Sequence, residues 1–361
     1  MNSMKGLELS QNYYKQVVKP IIDTAFPGLN HTACLIGFGS DVIGYDDVIS
    51  RDHMWGPRLI IFLRDQDIVT YKDQVNQVLS QQLPHEFLGF STHFSDPDPN
   101  DGGVMHLEKK DKGPINHFIQ IESMGAYIKT YINYDIKTEP SLEDWLTATE
   151  HRLLALTSGG VFHDDLGLED IRKKLSYYPK DLRNYNLSSL WNIISEEIAF
   201  VGRTGAVDDD LGSRLITSRI SELLMRICFA AEGIYAPYAK WFGTAFKRLA
   251  VYDVLGGRFM DLQKASTWQE RESILCDLYE GICNFYQDKG WFPSLNIKRE
   301  SYFGRPYQVV FLDGISDAFH DLIDDQELRG LRRLGTVNHM TTNTQIFDDP
   351  KINYRLMTLY K

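Results

Sequence analysis

The chain has 361 residues, of which 43% are hydrophobic and 24% charged, as in an ordinary soluble globular protein with a full core. This length favours two domains. The net charge of -11 at pH 7 argues against duplex nucleic acid as a partner, because a broadly acidic surface repels phosphates. Such a surface suits a cationic small molecule, or a metal-bridged nucleotide held in a local basic pocket.

The chain shows no signal for a membrane or for an oxidising compartment. No apolar run approaches the roughly 20 residues that a membrane-spanning helix needs, and residues 1–16 lack the basic-then-apolar order of a signal peptide. We therefore predict a cytoplasmic protein without a membrane partner. The four cysteines are scattered, show no metal-binding spacing and are predicted to be reduced thiols: Cys34, Cys228, Cys276 and Cys283.

The first part of the chain predicts an α+β domain over residues 1–137, with a small mixed sheet and helices. An unbroken apolar run over 57–65 indicates a strand that is buried on both faces. The segment 95–103, rich in Pro, Asp and Gly, predicts a loop. In chain order, the predicted elements are an amphipathic helix over 9–27, strands over 31–39 and 57–65, a helix over 66–82, and strands over 85–94 and 116–123.

From about residue 138 the pattern changes, and apolar residues recur at three- and four-residue spacing. This predicts an α-helical bundle domain over 138–361, in which glycines end several helices. The exception is 305–314, which is typical of a late strand. The most prominent helical stretches are 142–157, 186–202, 211–233 and 268–290.

The segment 37–58, GFGSDVIGYDDVISRDHMWGPR, places glycines, a serine and carboxylates between two predicted strands. Gly39 allows a ligand to approach the backbone closely, and Gly44 allows a second close approach. Ser40 adds a hydroxyl, and the amides after it are suited to an anion such as a phosphate. Asp52 stands shortly before the next strand, where a carboxylate can bind the Mg²⁺ that clamps a triphosphate.

Two arginines of the same segment, Arg51 and Arg58, are candidates to neutralise phosphate charge. In the helical half, Arg219 and Arg226 lie beside the apolar face of one predicted helix. An arginine so close to a core must be paired or must face a cleft. For Arg219, a structural pair with a glutamate is the simpler explanation. Tyr238 is a candidate to stack on a nucleotide base.

The order Gly39-Ser40, Gly44 and Ser50 resembles the DNA polymerase β-like nucleotidyltransferases, which include the aminoglycoside nucleotidyltransferases. Their pattern is a Gly-Ser turn, a Gly four residues after the Ser, and then a Ser before Asp-x-Asp or Asp-x-Glu at a strand start. The wider text of 37–58, together with VFHD, FVGRTG and YAPYAKWFGTAF further on, resembles a bacterial family of unknown function described as nucleotidyltransferase-like. This second resemblance covers most of the chain.

The resemblance implies transfer of a nucleoside monophosphate from a Mg²⁺-bound nucleoside triphosphate to a hydroxyl of a small acceptor. It implies a site between the two domains, with Asp52 as metal ligand and Gly39 and Ser40 around the triphosphate. Lys240 would then contact phosphate from the helical half. Glu122 would supply the general base that a later strand normally provides.

One departure from the family pattern leaves an alternative open. Where the family has Ser-Asp-x-Asp, this chain has Ser50-Arg51-Asp52-His53, so that Arg51 and His53 occupy the acidic positions. His53 can ligate a metal, but imidazole suits Mg²⁺ poorly; Asp41, Asp46 and Asp47 are further sources of negative charge. The alternative is a nucleotide-binding or regulatory protein with a degenerate transferase site.

A third, less favoured hypothesis is a metal-dependent phosphohydrolase of the HD type. It would use the adjacent pair His163-Asp164, within a stretch that predicts a glycine-framed loop, together with His151 and Asp208. The spacing of these residues does not support it. The sequence leaves open the identity of the acceptor, the base of the nucleotide and whether a homodimer completes the cleft.

Overall fold

The computed structural model of the chain describes residues 4–47, 49–51, 54–347 and 349–360. Up to residue 174 the elements are α1 (Gly6–Tyr13), a π-helical segment (Tyr14–Val18), α2 (Lys19–Ala25), β1 (His31–Leu35), a 3-10 turn (Ile49–Arg51), β2 (Arg58–Leu63), α3 (Asp65–Gln82), β3 (Glu86–Phe87), β4 (Phe90–Ser91), β5 (Phe118–Ser123), α4 (Met124–Ile132), α5 (Leu142–Thr147), α6 (Glu150–Thr157), β6 (Gly160–Asp164) and α7 (Leu168–Lys174).

The rest of the chain is mainly helical, with one small hairpin. Its elements are α8 (Lys180–Ser195), α9 (Phe200–Gly205), α10 (Asp210–Glu232), α11 (Ala239–Phe246), α12 (Tyr252–Lys264), α13 (Trp268–Asp288), β7 (Arg299–Ser301), a 3-10 turn (Tyr302–Gly304), β8 (Gln308–Val310), α14 (Asp313–His320), α15 (Gln326–Arg329), α16 (Val337–Met340), α17 (Thr344–Phe347), α18 (Pro350–Arg355) and a final 3-10 turn (Leu356–Leu359). This arrangement confirms the predicted α+β class with a helical second half.

The chain forms two compact units, and each unit is built from two separate segments of the sequence. The first unit comprises residues 1–140 and 152–176, and the second comprises 141–151 and 177–361. The sequence predicts one boundary after residue 137. The structure adds the segment 152–176 to the first unit, because β6 pairs with β1 there.

The first unit is built on a four-stranded mixed sheet in the order β5-β2-β1-β6. β1 is antiparallel to both β2 and β6, whereas β2 and β5 run parallel, with Ile61 opposite Ile121. All residues of β1 and β2 are buried, and for β2 the unbroken apolar run predicts this. Residues of α1, the π-helical segment and α3 pack on the sheet in one hydrophobic core, which includes Leu9, Tyr13, Val18, Val75, Leu79, Ile61 and Ile121.

Two local predictions in the first unit are wrong. The glycine-framed stretch around His163 is strand β6 and not a loop, because it completes the ladder of β1. The segment 85–94 is a tight hairpin of β3 and β4 and not one strand. Its turn residues Leu88 and Gly89 have φ values of 51° and 85°, the left-handed backbone that a two-residue hairpin turn needs.

In the second unit, α8 packs against α14 and α10, and α12 packs against α13. The long helix α10 begins at Asp209, whose side chain accepts a hydrogen bond from the Gly212 amide, and ends at Gly233 with φ of 68°. The predicted late strand is β8, paired with β7. Among the described residues, no helix has both the length and the hydrophobicity needed to cross a bilayer.

Candidate functional site

The turn after β1 has a backbone that only glycine can adopt at its central position. Gly39 has φ of 119°, and a Cβ added there would lie 2.2 Å from Oδ1 of Asp41 and 2.3 Å from Nη2 of Arg58. Gly37, two residues earlier, has φ of 88° and donates its amide to the carbonyl of Ala155 across 2.9 Å. The glycines of the predicted Gly-Ser turn are therefore required by close packing as well as by the left-handed backbone.

A buried ion pair supports this turn from the first residue of β2. Nη2 of Arg58 lies 2.7 Å from Oδ1 of Asp41, and its Nε lies 3.3 Å from Oδ2. The two side chains are only 4% and 2% exposed. Arg58 also donates to the carbonyl of Phe38 across 2.9 Å and lies over the Phe38 ring. Nε and Nη2 of the guanidinium are thus engaged in structural contacts, and the predicted phosphate contact of Arg58 stays a prediction.

The structure brings Ser40 and Ser50, two matching positions of the sequence motif, into contact. Oγ of Ser40 donates to the carbonyl of Ser50 across 3.3 Å. The 3-10 turn that contains Ser50 is held by Oδ1 of Asp47, which accepts from the amides of Ile49 (2.9 Å) and Ser50 (2.7 Å). The hydrogen bonds from Ser50 and Ile49 hold the pKa of the Asp47 carboxyl below its usual range.

The other polar side chains of this loop bind the loop to the start of the chain. The buried carboxylate of Asp46 accepts from the Gly6 amide (2.7 Å) and from the indole of Trp55 (3.3 Å), and it pairs with Lys5. Nη2 of Arg51 donates to the carbonyl of Met4 (2.7 Å), and its guanidinium lies over the Trp55 ring. Asp46, like Asp41, therefore has a structural partner.

The two predicted metal ligands, Asp52 and His53, lie outside the described residues. In sequence they follow the 3-10 turn Ile49–Arg51 directly.

Gly44 has φ of 74°, and a Cβ added there would meet nothing within 4 Å, so its backbone and not its packing requires glycine. The described part of the loop offers two oxygen donors of the kind that Mg²⁺ prefers, namely the Ser40 hydroxyl and the exposed Asp47 carboxylate.

Glu122, the predicted general base, lies at the other end of β5 from the turn. In the parallel register, Phe118 is opposite Arg58 and Glu122 is opposite Phe62. Four residues of strand therefore separate Glu122 from the level of Arg58, roughly 13 Å. Its half-exposed carboxylate lies 3.4 Å from Nζ of Lys72. The structure does not bring Glu122 together with Gly39 and Ser40.

In the second unit, the structure places Arg226 and Tyr238 on one cavity of about 460 Å³. Arg226 is 12% exposed, pairs with Glu222 at 2.8 Å and lies over the ring of Phe242 at 5.0 Å. Tyr238 packs on the ring of His151, and burial raises the pKa of its hydroxyl. The predicted phosphate contact Lys240 is exposed, with Nζ 5.2 Å from the centre of the Trp241 ring.

Several residues that line this cavity were not singled out by the sequence, and part of the set carries a recognisable signal. Ser218, Ser221, Glu222 and Met225 recur on α10 at the spacing of one helix face, which ends at Arg226. Apart from Met225 the side chains of this face are polar, whereas the opposite face carries the buried Ile220, Leu224 and Ile227. Gln263 and Asn338 come from distant parts of the chain, and no local pattern indicates them.

The phosphohydrolase hypothesis loses its support in the structure. His163 and Asp164 lie on strand β6, whereas that class of enzyme presents the pair on helices. Asp164 has its oxygens occupied, because it accepts from the hydroxyl of Thr32 (2.7 Å) and from the three backbone amides that begin α7: Gly167, Leu168 and Glu169. It serves to start a helix.

Comparison with known proteins gives limited matches. Residues 145–242 match a family model described as "Domain of unknown function (DUF4037)". No curated protein matches the chain. The chain is similar to the solved structure of a nucleotidyltransferase-like protein from Exiguobacterium sibiricum 255-15, with 10% sequence identity and a TM-score of 0.26, over 84% of this chain and 97% of that chain. A likeness this weak carries no argument about the reaction.

Proposed function

We propose that the protein is a nucleotidyltransferase-like enzyme that moves a nucleoside monophosphate from a nucleoside triphosphate to a hydroxyl of a small acceptor. The observation that supports this proposal most directly is the contact between Ser40 and Ser50. It joins the Gly39-Ser40 turn to the segment that precedes Asp52 in the sequence. The Gly39-Ser40 turn and Ser50 are therefore close in space as well as in sequence.

In this proposal the turn acts as a pre-shaped cradle for the triphosphate. The buried pair of Arg58 and Asp41 fixes the backbone around Gly39, so that few groups need to reorganise when an anion binds. Positioning and fixed electrostatics account for most of the catalysis in phosphoryl transfer. Asp52 is the proposed metal ligand, and Ser40 and Asp47 are further oxygen donors. Mg²⁺, when bound, would neutralise charge on the phosphates.

The second unit has candidate nucleotide contacts of its own. Arg226 offers a guanidinium at the edge of a cavity, and Tyr238 offers an aromatic face on the same cavity. Lys240 is exposed and available to a phosphate. The acidic net charge of -11 favours a cationic acceptor, such as an amino alcohol or an aminoglycoside.

The alternative is a nucleotide-binding protein that has lost the reaction. Arg51 stands where the family has its first aspartate, and its side chain is already engaged by Met4 and Trp55. Asp41 and Asp46 have structural partners, so neither readily replaces a missing metal ligand. Under this alternative the cradle binds a nucleotide whose presence is read by another protein.

One experiment separates these two functions. The protein is incubated with each labelled triphosphate, Mg²⁺ and a panel of amino alcohols and aminoglycosides, and both nucleotide binding and pyrophosphate release are measured. We expect pyrophosphate release that falls at least about 100-fold in Asp52→Asn, since ligand loss removes the metal that stabilises the leaving group. The matched control is Asp111→Asn, at a carboxylate that is 76% exposed on another loop.

The outcomes are distinct. Nucleotide binding without pyrophosphate release, unchanged in Asp52→Asn, would favour the regulatory alternative. Equal activity in wild type and Asp52→Asn would remove the proposed mechanism. Failure to bind any of the four triphosphates in the presence of Mg²⁺ would remove both functions.

A further inference from the structure

A second group of chemistry-bearing side chains lies in the first unit, at the end of the sheet away from Gly39. One ring nitrogen of His31, one of His163 and a carboxylate oxygen of Asp165 all lie within 4.8 Å of one another. The antiparallel register of β1 and β6 brings them together, because Thr32 is opposite Asp164 and Ala33 is opposite His163. None of the three takes part in the proposed transferase site.

His31 is held in a state that suits a metal ligand. Its side chain is buried, with only 2% of its surface exposed. Its Nδ1 lies 3.1 Å from the carbonyl of Leu29. Since a carbonyl oxygen only accepts, Nδ1 carries the proton, and Nε2 presents its lone pair to the hydroxyl of Tyr14 at 2.8 Å. A hydrogen bond from the second ring nitrogen to a carbonyl is the usual support of a metal-bound histidine.

His163 and Asp165 are already at a distance close to that of two ligands of one ion. Nε2 of His163 lies 2.9 Å from Oδ2 of Asp165, and the same oxygen accepts from the backbone amide of His31 at 3.2 Å. Two ligand atoms that are about 2.1 Å from a tetrahedral ion are about 3.4 Å apart. The side chains of His163 and Asp165 are 28% and 35% exposed, which gives an ion a path from solvent.

Asp165 also lines a cavity of about 690 Å³. This cavity lies where the parallel strands β2 and β5 end, and its other walls include Leu63, Arg64, Ser123 and Leu166. A site with three protein ligands and an open side differs from a closed structural site, in which protein supplies all four ligands. The cavity leaves room for water or a bound molecule as the fourth ligand.

We propose that His31, His163 and Asp165 form a binding site for a transition-metal ion such as Zn²⁺, with a fourth position open to this cavity. Two imidazoles and one carboxylate suit Zn²⁺, Co²⁺ or Ni²⁺ and not Mg²⁺, which prefers oxygen ligands. The ion would replace the hydrogen bond between Nε2 of His163 and Oδ2 of Asp165, with the ring proton of His163 moving to Nδ1 through solvent. Nε2 of His31 would exchange its Tyr14 hydrogen bond for the metal. The site is independent of the proposed nucleotide chemistry.

The test is metal binding by the full chain, made without a histidine tag and freed of metal by a chelator. Zn²⁺ is titrated by calorimetry, and Co²⁺ by its visible absorption, which reports tetrahedral coordination. We expect one equivalent of Zn²⁺ to bind. We expect His163→Gln and Asp165→Asn each to weaken binding at least tenfold, because each removes one ligand of three.

The matched control is His106→Gln, which removes a half-exposed histidine that has a carboxylate, Asp101, at 3.5 Å but, among the residues that the structure describes, belongs to no three-ligand group. It should bind Zn²⁺ as the wild type does. Circular dichroism checks that each variant is folded. The proposal is overturned if the wild type binds no Zn²⁺ at micromolar concentration, or if His163→Gln and Asp165→Asn bind it with unchanged affinity. Since no nucleotide is present, either result leaves the transferase proposal untouched.

Discussion

The guanidinium of Arg58 and the carboxylate of Asp41 form an ion pair whose closest atoms are 2.7 Å apart, and both side chains are almost fully buried. The pair stands where Gly39 approaches within van der Waals contact of both partners. The shape of the Gly39-Ser40 turn therefore depends on two charges that compensate each other. Substitution of Arg58 or Asp41 should therefore lower the stability of the fold, whether or not a ligand is bound.

We predict that Asp41→Asn lowers the free energy of unfolding by about 3 kcal/mol or more, because it leaves the Arg58 charge buried without its partner. The matched control is Lys72→Met, which breaks the half-exposed pair with Glu122 and should cost less than about 1 kcal/mol. Urea denaturation of both variants measures the difference. Equal effects of the two substitutions would contradict the structural role of the buried pair.

Gly39→Ala should destabilise the first unit more than Gly44→Ala does. Both residues have positive φ, so both substitutions strain the backbone: roughly 1–2 kcal/mol at Gly44, and more at Gly39, whose φ of 119° lies outside the left-handed helical region. Only at Gly39 would the new methyl group also overlap Asp41 and Arg58, which are fixed by their ion pair. We expect a larger fall in melting temperature for Gly39→Ala, measured by circular dichroism. A larger effect at Gly44 would show that the packing around Gly39 is not as tight as described.

Because the imidazole of His339 is buried, we expect the protein to lose stability in mild acid. Burial, with a contribution from the charge of Arg226, lowers the pKa of this imidazole to about 3 from 6.5. The unfolded chain therefore takes up a proton below pH 6.5 that the folded chain does not, and stability falls as the pH drops from 6.5 toward 3. The nearby carboxyl of Glu150 has a pKa raised by burial, so its protonation in acid acts in the opposite direction.

The measurement is the free energy of unfolding of the wild type and of His339→Gln at several pH values. The wild type should lose about 3 kcal/mol relative to the variant between pH 7 and pH 4, because the variant has no imidazole to protonate. His106→Gln, at a half-exposed histidine, is the control and should follow the wild-type curve. Parallel curves for the wild type and His339→Gln would contradict the buried neutral state.

Arg226 and Arg219 lie on the same helix and offer a matched pair of variants. Arg226 lines the cavity of the second unit, whereas Arg219 is 56% exposed and pairs with Glu197, as the sequence interpretation favoured for it. If the second unit contributes to nucleotide binding, Arg226→Met should weaken the binding of a triphosphate about tenfold or more, and Arg219→Met should leave it unchanged. Equilibrium dialysis with labelled triphosphate measures both. If Arg226→Met and Arg219→Met change triphosphate binding equally, the nucleotide does not bind in this cavity.

All four cysteines should resist thiol reagents in the native protein. Each is a free thiol and buried, and burial raises the pKa of all four. A thiol that is both buried and protonated reacts slowly. We expect little reaction with a disulfide reagent such as Ellman's reagent at pH 8, and rapid reaction of four thiols after unfolding in guanidinium chloride. Fast labelling of the native protein would contradict the burial of at least one cysteine.

The apolar pattern was sufficient to predict the class of the fold, its buried central strands and its longest helices. The run of β2 is long enough to indicate burial on both faces, and α10 and α13 have apolar periodicity over five or more turns. The Gly-Ser turn was also found, because glycine at a left-handed position leaves a local mark on the sequence. Such features depend on residues that are close along the chain.

The partners of individual polar side chains could not be predicted, because they depend on the register of distant segments. β6 is short and polar at its end, and it becomes a strand only because β1 has an open edge. That pairing alone places His31 beside His163 and Asp165, which are more than 130 positions away in the sequence. In the same way, strand register separates Glu122 from the turn, and folding of the loop pairs Arg58 with Asp41. The sequence by itself thus determined which segments are buried, and the tertiary structure decided which charges and ligands meet.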